Sequence, residues 1–543
     1  MTDFDFIIVG AGSAGSALAS RLSEDPSKNI LLLEAGGADS HPWVRIPMGY
    51  GKVFYDERVN WKYTTEPNEH LDGNRVYWPR GKVLGGSSSI NALVYVRGHP
   101  QDYDDWATDA PGWSWTDVEP IFKRMETWQG APSADRGTNG PLTVRDTTSD
   151  AHPLTMRYLQ AAKQAGFAIN SDYNSGDMEG AALYQITTKN GVRASAAQAY
   201  IAPIKHRRNL TLKLKAHVQR LCFEGRRVTG VTYRQDGVET TVHARTEVIL
   251  CGGAINTPQL LQISGIGPGA LLQSLGIPVV QDLPQVGRNL QDHLGSDVHY
   301  RSKIATLNQI LRPALGKVNV GLQYLFNRTG PLSLSLNQAG GFLRLREEAT
   351  SPDIQIYFSP VSYTRAPAGT RPLMTPDRFP GFLLGFNPCK PTSIGHLEIT
   401  SPDASDAPLL NSNYLSTNYD KQIMLEGLRL MRRISASPAL AEVIDAEISP
   451  GPAVISEEDL DGFVRKGAWS VFHQCGTCRM GQDPASSVVD PSLRVHGFEG
   501  LRVADASIFP TIPTGNTNAV AIMVGEKAFD LITTSQNQRK DTV

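Results

Sequence analysis

The chain has 543 residues, 40% of them apolar and 20% charged, with a net charge of −2. That length exceeds one simple core and predicts two or three domains of a globular protein, and the near-neutral charge argues against nucleic acid as a partner. Five cysteines are too few for a disulfide framework in so long a chain and fit a reducing compartment.

No apolar run is long enough to span a bilayer. The N-terminus, Met1-Thr2-Asp3-Phe4-Asp5, is acidic and lacks the basic region of a signal peptide. A cytoplasmic location is expected, with no transmembrane segment and with peripheral membrane contact left open.

Residues 4–9 (FDFIIV) read as a short buried strand running into Gly10-Ala11-Gly12-Ser13-Ala14-Gly15, a G-x-G-x-x-G turn. An Ala- and Leu-rich helical run at 16–22 follows, then a second strand at 29–33 that ends in Glu34 and Ala35. This is a βαβ unit with an acid about twenty residues beyond the glycines, the pattern of a dinucleotide site. Gly10 allows the tight turn, Gly12 leaves room for a pyrophosphate, and Gly15 lets the helix approach the sheet. Free N–H groups at the helix start face the phosphate charge, and Glu34 can accept hydrogen bonds from a ribose diol.

Residues 41–75 read as a long mixed excursion. The run Arg80-Gly81-Lys82-Val83-Leu84-Gly85-Gly86-Ser87-Ser88-Ser89-Ile90-Asn91 is rich in Gly and Ser. It allows close backbone approach and is followed at once by the buried-looking Ala92-Leu93-Val94, which favours a ligand loop over a surface loop. A helix capped at Ser114 is predicted over 115–125, and another over 152–165. Strands at 210–214, 228–233 and 238–250 suggest a β-meander feeding back into the first domain. Residues 247–254 form a buried strand ending in small residues, with a helix at 258–263, again an open site at a strand's carboxyl end. Residues 301–410, with runs such as Ile354-Gln355-Ile356-Tyr357-Phe358, predict a separate, largely antiparallel sheet, with a helix at 420–434. The chain then returns to its first style. A short strand reaches Asp505 and Ala506, Thr514-Gly515-Asn516-Thr517-Asn518 leads into a helix at 519–532, and a polar, frayed tail follows at 533–543. The nucleotide domain is therefore expected to be discontinuous (1–150, 205–300 and 486–543), with a second domain (151–204 and 301–485) inserted in it.

The stretch His473-Gln474-Cys475-Gly476-Thr477-Cys478-Arg479-Met480-Gly481 precedes that return. Cys475 and Cys478 with His473 nearby have the spacing of half a metal site or of a redox pair, but no second cysteine pair exists to complete it, so no metal is expected. His473 remains a general base, since an imidazole can take and release a proton near neutrality, or a structural histidine. Spacing alone leaves both open.

Four motifs spread from end to end resemble the glucose–methanol–choline (GMC) oxidoreductase family, in its choline- and alcohol-dehydrogenase-like branch. They are the N-terminal fingerprint with Glu34, the run from Arg80 to Asn91, the run Gly252-Gly253-Ala254-Ile255-Asn256-Thr257-Pro258, and the His473 stretch together with Asp505-Ala506 and Gly515-Asn516-Thr517-Asn518. The resemblance implies an α/β (α+β mixed) molecule, with a Rossmann-like FAD-binding domain and an inserted substrate domain on a largely antiparallel sheet. It implies FAD rather than NAD. Gly10, Gly12, Ser13, Ala14 and Gly15 would face the pyrophosphate, and Glu34 and Ala35 would hold the adenosine ribose. Val218 would pair its backbone with adenine. Gly81, Val83, Gly86, Ser87, Asn91, Ala92 and Val94 would lie along the flavin, with Asp505, Ala506 and Asn518 near the ribityl chain and pyrimidine end. Where some members carry a histidine that bonds covalently to the flavin, this chain has Ile90, so a non-covalent FAD is implied.

His473 matches the family's active-site histidine and Asn516 its second catalytic position. The implied reaction is oxidation of a primary alcohol to an aldehyde: His473 takes the hydroxyl proton as hydride passes to flavin N5, and oxygen or a quinone-type acceptor reoxidises the flavin. Hydroxynitrile lyases and light-driven decarboxylases of the same family are the alternative reading. Trp469, Phe472, Tyr357 and Phe358 are candidate pocket residues, and a neutral alcohol is favoured over choline, whose cation would want an aromatic or acidic cage.

Overall fold

The computed structural model describes residues 3–363 and 375–541. The first of its two large sheets runs in the order Leu210–Leu214, Ile30–Glu34, Asp3–Val9, Val238–Leu250, Arg227–Gln235, His217–Glu224. The long strand Val238–Leu250 changes partners halfway. Its first half pairs antiparallel with Arg227–Gln235. Its end pairs parallel with Asp3–Val9 on one side and with Leu501–Val503 on the other, Leu250 lying opposite both Val9 and Val503. Strand ends at Val9, Glu34, Leu214, Leu250 and Val503 therefore meet along one edge, where strand-to-helix turns leave room for a ligand. The meander is three strands long. Leu210–Leu214, expected to belong to it, instead pairs parallel with Ile30–Glu34.

Residues such as Ile7, Ile8, Leu31, Leu32, Val248 and Ile249 are fully buried, as parallel strands covered on both faces must be. The helix Ser13–Leu22 packs against the last helix, Asn518–Asp541. Their approach depends on Gly525, where a side-chain carbon would lie 2.2 Å from the Ala14 carbonyl oxygen. The last helix outruns the expected end at 532. No Gly or Pro interrupts residues 526–541, so nothing stops it where fraying was expected.

The second sheet is antiparallel, in the order Ile444–Ser449, Leu294–Ser302, Gly381–Pro388, Ile354–Ser359, Ala339–Leu343, Gly180–Leu183. The short strand Trp469–Ser470 pairs with the start of Leu294–Ser302. Helix Asn418–Ser435 covers this sheet with Ile423, Leu428, Met431 and Ile434, and Gly427 lets it settle onto the Phe386 ring, 2.2 Å from where a side-chain carbon would sit. Two corrections follow. The boundary expected at residue 300 falls inside Leu294–Ser302, so the change of sheet comes before Leu294. The region 301–410 also contains the helices Leu307–Leu311 and Ala314–Asn327. Among the described residues, no helix is long and apolar enough to cross a membrane.

Candidate active site

A cavity of about 560 Å³ runs from the carboxyl edge of the first sheet to the second sheet. At its nucleotide end the backbone does most of the shaping. Gly10 sits at φ +103°, a conformation that favours glycine, and a side-chain carbon there would lie 2.4 Å from the Cys251 carbonyl oxygen. A side-chain carbon at Gly15 would lie 2.0 Å from the Gly10 oxygen, so Gly15 closes the helix onto the turn. At Gly12 the same carbon would meet nothing nearer than the Gly86 Cα at 3.9 Å, so its missing side chain opens onto the cavity. Ser13, Gly253 and Asn518 bring the starts of three helices to the cavity wall. Ser13 donates to Asn518 Oδ1 at 2.8 Å, tying the first and last helices together there.

Glu34 Oε2 accepts the Ala11 N–H at 3.0 Å and Oε1 the Gly36 N–H at 2.8 Å. Burial nonetheless pushes its carboxyl up to about 7. Asp505, raised by burial, accepts from the Gly253 N–H at 2.8 Å, Thr257 Oγ1 at 2.6 Å and the Ser507 N–H at 2.8 Å. Beyond Glu34 lie Val218, His217 and Trp61. The His217 ring stands 5.4 Å from that of Trp61, and burial lowers its pKa to about 4.

At the far end, His473 Nε2 lies 3.0 Å from Asn516 Nδ2, and His473 Nδ1 lies 2.9 Å from His293 Nδ1. His293 Nε2 is 3.0 Å from the Cys389 carbonyl oxygen. A carbonyl can only accept, so His293 carries its proton on Nε2 and presents a lone pair at Nδ1. His473 must then carry its proton on Nδ1, which leaves the lone pair on Nε2, toward Asn516 and the cavity. Asn516 Oδ1 accepts from Gln355 Nε2 at 3.0 Å, so every donor in the chain Gln355, Asn516, His473, His293, Cys389 points the same way. Burial holds His473 well below its ordinary pKa, with His293 and Arg80 pushing in the same direction, and burial takes His293 down to about 4. Both rings are therefore neutral at neutral pH.

The backbone that aims His473 is fixed by Asp292. This buried carboxylate accepts from the His473 N–H at 2.7 Å, Ser470 Oγ at 2.5 Å, Gln474 Nε2 at 2.8 Å and the Tyr414 hydroxyl. Burial raises its pKa against those bonds. Phe472 adopts φ +69°, a left-handed turn that costs a non-glycine residue about 1–2 kcal/mol. Its carbonyl accepts from Arg80 at 2.6 Å and its N–H donates to Ser470 Oγ at 2.8 Å, which holds the turn. Arg80 itself is lowered to about 10, mainly by desolvation.

Most of the residues singled out in the sequence line this one cavity: Gly10, Gly12, Ser13, Ala14, Glu34, Ala35, Gly81, Gly86, Ser87, Asn91, Ala92, Val94, Val218, Asp505, Ala506 and Asn518, with His473, Asn516, Phe472, Trp469 and Tyr357. Three do not. Gly15 packs under the turn. Val83 is buried with Val44, Val59 and Ile90. Phe358 corrects the pocket expectation: alternation along Ile354–Ser359 turns Tyr357 to the cavity and Phe358 to the opposite face, where it stacks on Tyr158 at 4.9 Å. Cys475 and Cys478 are free, fully buried thiols, pushed up by burial. Among the described residues no group of His, Cys, Asp or Glu converges as a metal site. The sequence reading missed His293, Asp292, Gln355 and the aromatic walls Tyr50, Phe54 and Tyr363.

The nucleotide end suits the diphosphate of FAD. It offers a glycine cradle that a side chain would fill, three helix starts with their positive dipole ends, and a carboxylate for a ribose diol. A dinucleotide cradle with a neutral imidazole and a carboxamide at its far end has the architecture of an FAD-dependent oxidoreductase acting on CH–OH groups. Known proteins agree. The GMC oxidoreductase N-terminal model matches residues 4–295 and the C-terminal model residues 391–525. The chain is 41% identical to an alcohol dehydrogenase [acceptor] of Pseudomonas putida over 97% of its own length and 95% of the relative's. It is 42% identical to an oxygen-dependent choline dehydrogenase of Chromohalobacter salexigens over 98% and 95%. Pyridoxine 4-oxidase from Mesorbium loti superposes with a TM-score of 0.87 at 30% identity, over 97% and 98% of the two chains. The chain belongs to the GMC oxidoreductase family of FAD-dependent enzymes.

Proposed function

We propose that the protein oxidises a neutral primary alcohol to an aldehyde, with His473 Nε2 as the general base. Bound FAD supplies the hydride acceptor. The alcohol replaces the Asn516–His473 contact, its hydroxyl proton passes to the Nε2 lone pair, and the carbon gives up its hydride as the C=O bond forms. His473 Nδ1–H stays bonded to His293 throughout, so the ring does not turn as it becomes charged. Asn516, held through Oδ1 by Gln355, donates its amide N–H to the substrate oxygen and keeps the carbon in line. Oxygen or a quinone-type acceptor closes the cycle.

A neutral substrate is supported by the walls near the base. They carry Tyr50, Phe54, Tyr357, Tyr363, Trp469 and Phe472, and the acids that line the cavity are Glu34 and Asp505, both engaged at the nucleotide side. Arg80 lines the same wall, so a quaternary ammonium would meet a fixed positive charge. The Tyr357 hydroxyl is buried and has no partner among the described residues, which leaves it for a substrate oxygen.

The observation that carries the reading is the lone pair of a neutral His473 facing Asn516 in the cavity that cradles the cofactor. Anaerobic stopped-flow reduction tests it. His473→Ala retains FAD and slows reduction by about two to four decades, the usual worth of a positioned base. Reduction of His473→Ala at the wild-type rate sinks the mechanism. Faster reduction by choline than by hexanol or benzyl alcohol sinks the substrate class alone.

A further inference from the structure

The helix Ala314–Asn327 buries only Val320 and Tyr324. On its other side Leu315, Val318, Leu322, Leu325 and Phe326 face solvent, between 48% and 76% exposed. At about 100° per residue these five fall within an arc of roughly 100°. Single exposed apolar residues are ordinary on any protein, but a stripe this continuous is not. In the preceding short helix Leu307–Leu311, Ile310 is also exposed.

The charge along this stretch of sequence has one sign. No Asp or Glu occurs between Asp297 and Glu347, while Lys303, Arg312, Lys317 and Arg328 lie in that stretch of a chain whose net charge is −2. Among the described residues Arg312, Lys317 and Arg328 make no ion pair. Arg328 ends the helix with its guanidinium 5.0 Å from the Tyr324 ring centroid, which fixes one cation at the C-terminal end of the helix.

We propose that this face seats the protein on an anionic lipid surface, with the helix lying in the plane of the interface. An apolar arc carrying a phenylalanine, on a segment that has basic residues and no acid of its own, matches the acyl boundary and headgroup charge of such a surface at once. A second copy matches it poorly, because a self-complementary contact sets the segment's basic residues against each other with no carboxylate of its own between them. The seat also adjoins the cavity. Leu311 and Leu332, at the two ends of the helical segment, pack in one cluster with Tyr50, Phe54, Tyr363 and Phe472, all of them cavity-lining residues. Where the proposed alcohol oxidation holds, an alcohol or quinone dissolved in the bilayer reaches the site from this side; the seating itself does not depend on that reading.

Flotation of the purified full-length holoenzyme with phosphatidylglycerol vesicles, and separately with phosphatidylcholine vesicles, tests the proposal. The protein floats with the anionic vesicles, and raised salt weakens the binding. The double variant Leu325→Asp with Phe326→Asp binds about tenfold or more weakly, since it places two charges on the apolar arc. Lys317→Glu weakens anionic binding alone. All three positions are exposed, so flavin content and melting temperature stay at wild-type values and certify the variants. Absence of binding to anionic vesicles, or binding that the double variant leaves intact, overturns the proposal. A wild-type oligomer that the double variant converts to monomer in analytical ultracentrifugation, without vesicle binding, overturns it in favour of an interface between copies.

Discussion

His293 and His473 meet through their Nδ1 atoms at 2.9 Å, and the Cys389 carbonyl at the far side of His293 decides which of them holds the shared proton. The proton belongs to His473. The alternative tautomer of His473 places the proton on Nε2 and sets two lone pairs against each other at the Nδ1 contact. In the proposed reaction His293 therefore acts only through the ring it holds.

A positioning role of this kind predicts a graded result. His293→Ala lowers the rate of flavin reduction by about tenfold or more, because the ring loses its fixed tautomer. It also displaces the acid limb of the pH profile, since the variant removes both the acceptor of the His473 Nδ1–H bond and the neighbouring ring that helps to depress His473. His293→Asn offers a side-chain oxygen near the former Nδ1 and restores much of the rate. A purely structural role gives equal losses in both variants, tracking flavin content, with no shift in pH profile.

The pH dependence of the wild type follows from the direction of the His473 shift. Burial holds this imidazole well below 6.5, so the base is free throughout the neutral range. Anaerobic reduction is expected to be flat with pH near neutrality and to fall only on the acid side of an ordinary histidine. A limb centred near or above 6.5 contradicts the assignment, as does its survival in His473→Ala.

Gly12 and Gly86 separate cofactor grip from folding. A side chain at Gly12 enters open cavity, whereas at Gly86 it meets the Gly12 Cα at 2.8 Å from a backbone at φ +54°. Gly12→Val therefore folds with a near-normal melting curve when stripped of flavin, yet binds no FAD. Gly86→Val loses both, with a left-handed strain of about 1–2 kcal/mol added to the clash. In the wild type, Ile90 lines the cavity and has no nucleophile, so acid precipitation releases the flavin into the supernatant.

The contrast between legible and hidden parts of the molecule has a physical basis. The glycine turn, Glu34 and the His473 stretch each carry their meaning within a dozen residues, because a turn, a helix start and a strand end are local structures. His293 and Asp292 carry theirs only through contacts about 180 positions away, and nothing in Gln291-Asp292-His293-Leu294 marks them beforehand. Phe358 misled because every residue of Ile354–Ser359 is buried, so alternation gave no hint of which face looked into the cavity. The helix Ala314–Asn327 escaped for a related reason. Its apolar arc faces solvent, and its residues read as part of the surrounding antiparallel region.

The last prediction concerns stability in acid. His293 is fully buried and neutral, with its pKa lowered to about 4 from 6.5. Above pH 6.5 folded and unfolded chains carry the same neutral ring, so His293 leaves stability unchanged. As the pH falls below 6.5 the unfolded ring takes a proton that the folded ring refuses, and stability is lost until the folded ring titrates near 4. The loss amounts to about 3 kcal/mol at most. His473 is lowered in the same direction and adds to it. The raised carboxyls Glu34 and Asp292 act with the opposite sign, so the absolute curve mixes these effects, and the comparison with a variant isolates one. His293→Gln cannot be protonated. Its melting temperature, whatever its value at pH 7.5, should fall less steeply than that of the wild type between pH 6.5 and 4.5. Parallel slopes for the two proteins across that window mean that His293 is already charged in the folded state, and the tautomer assigned to His473 falls with it.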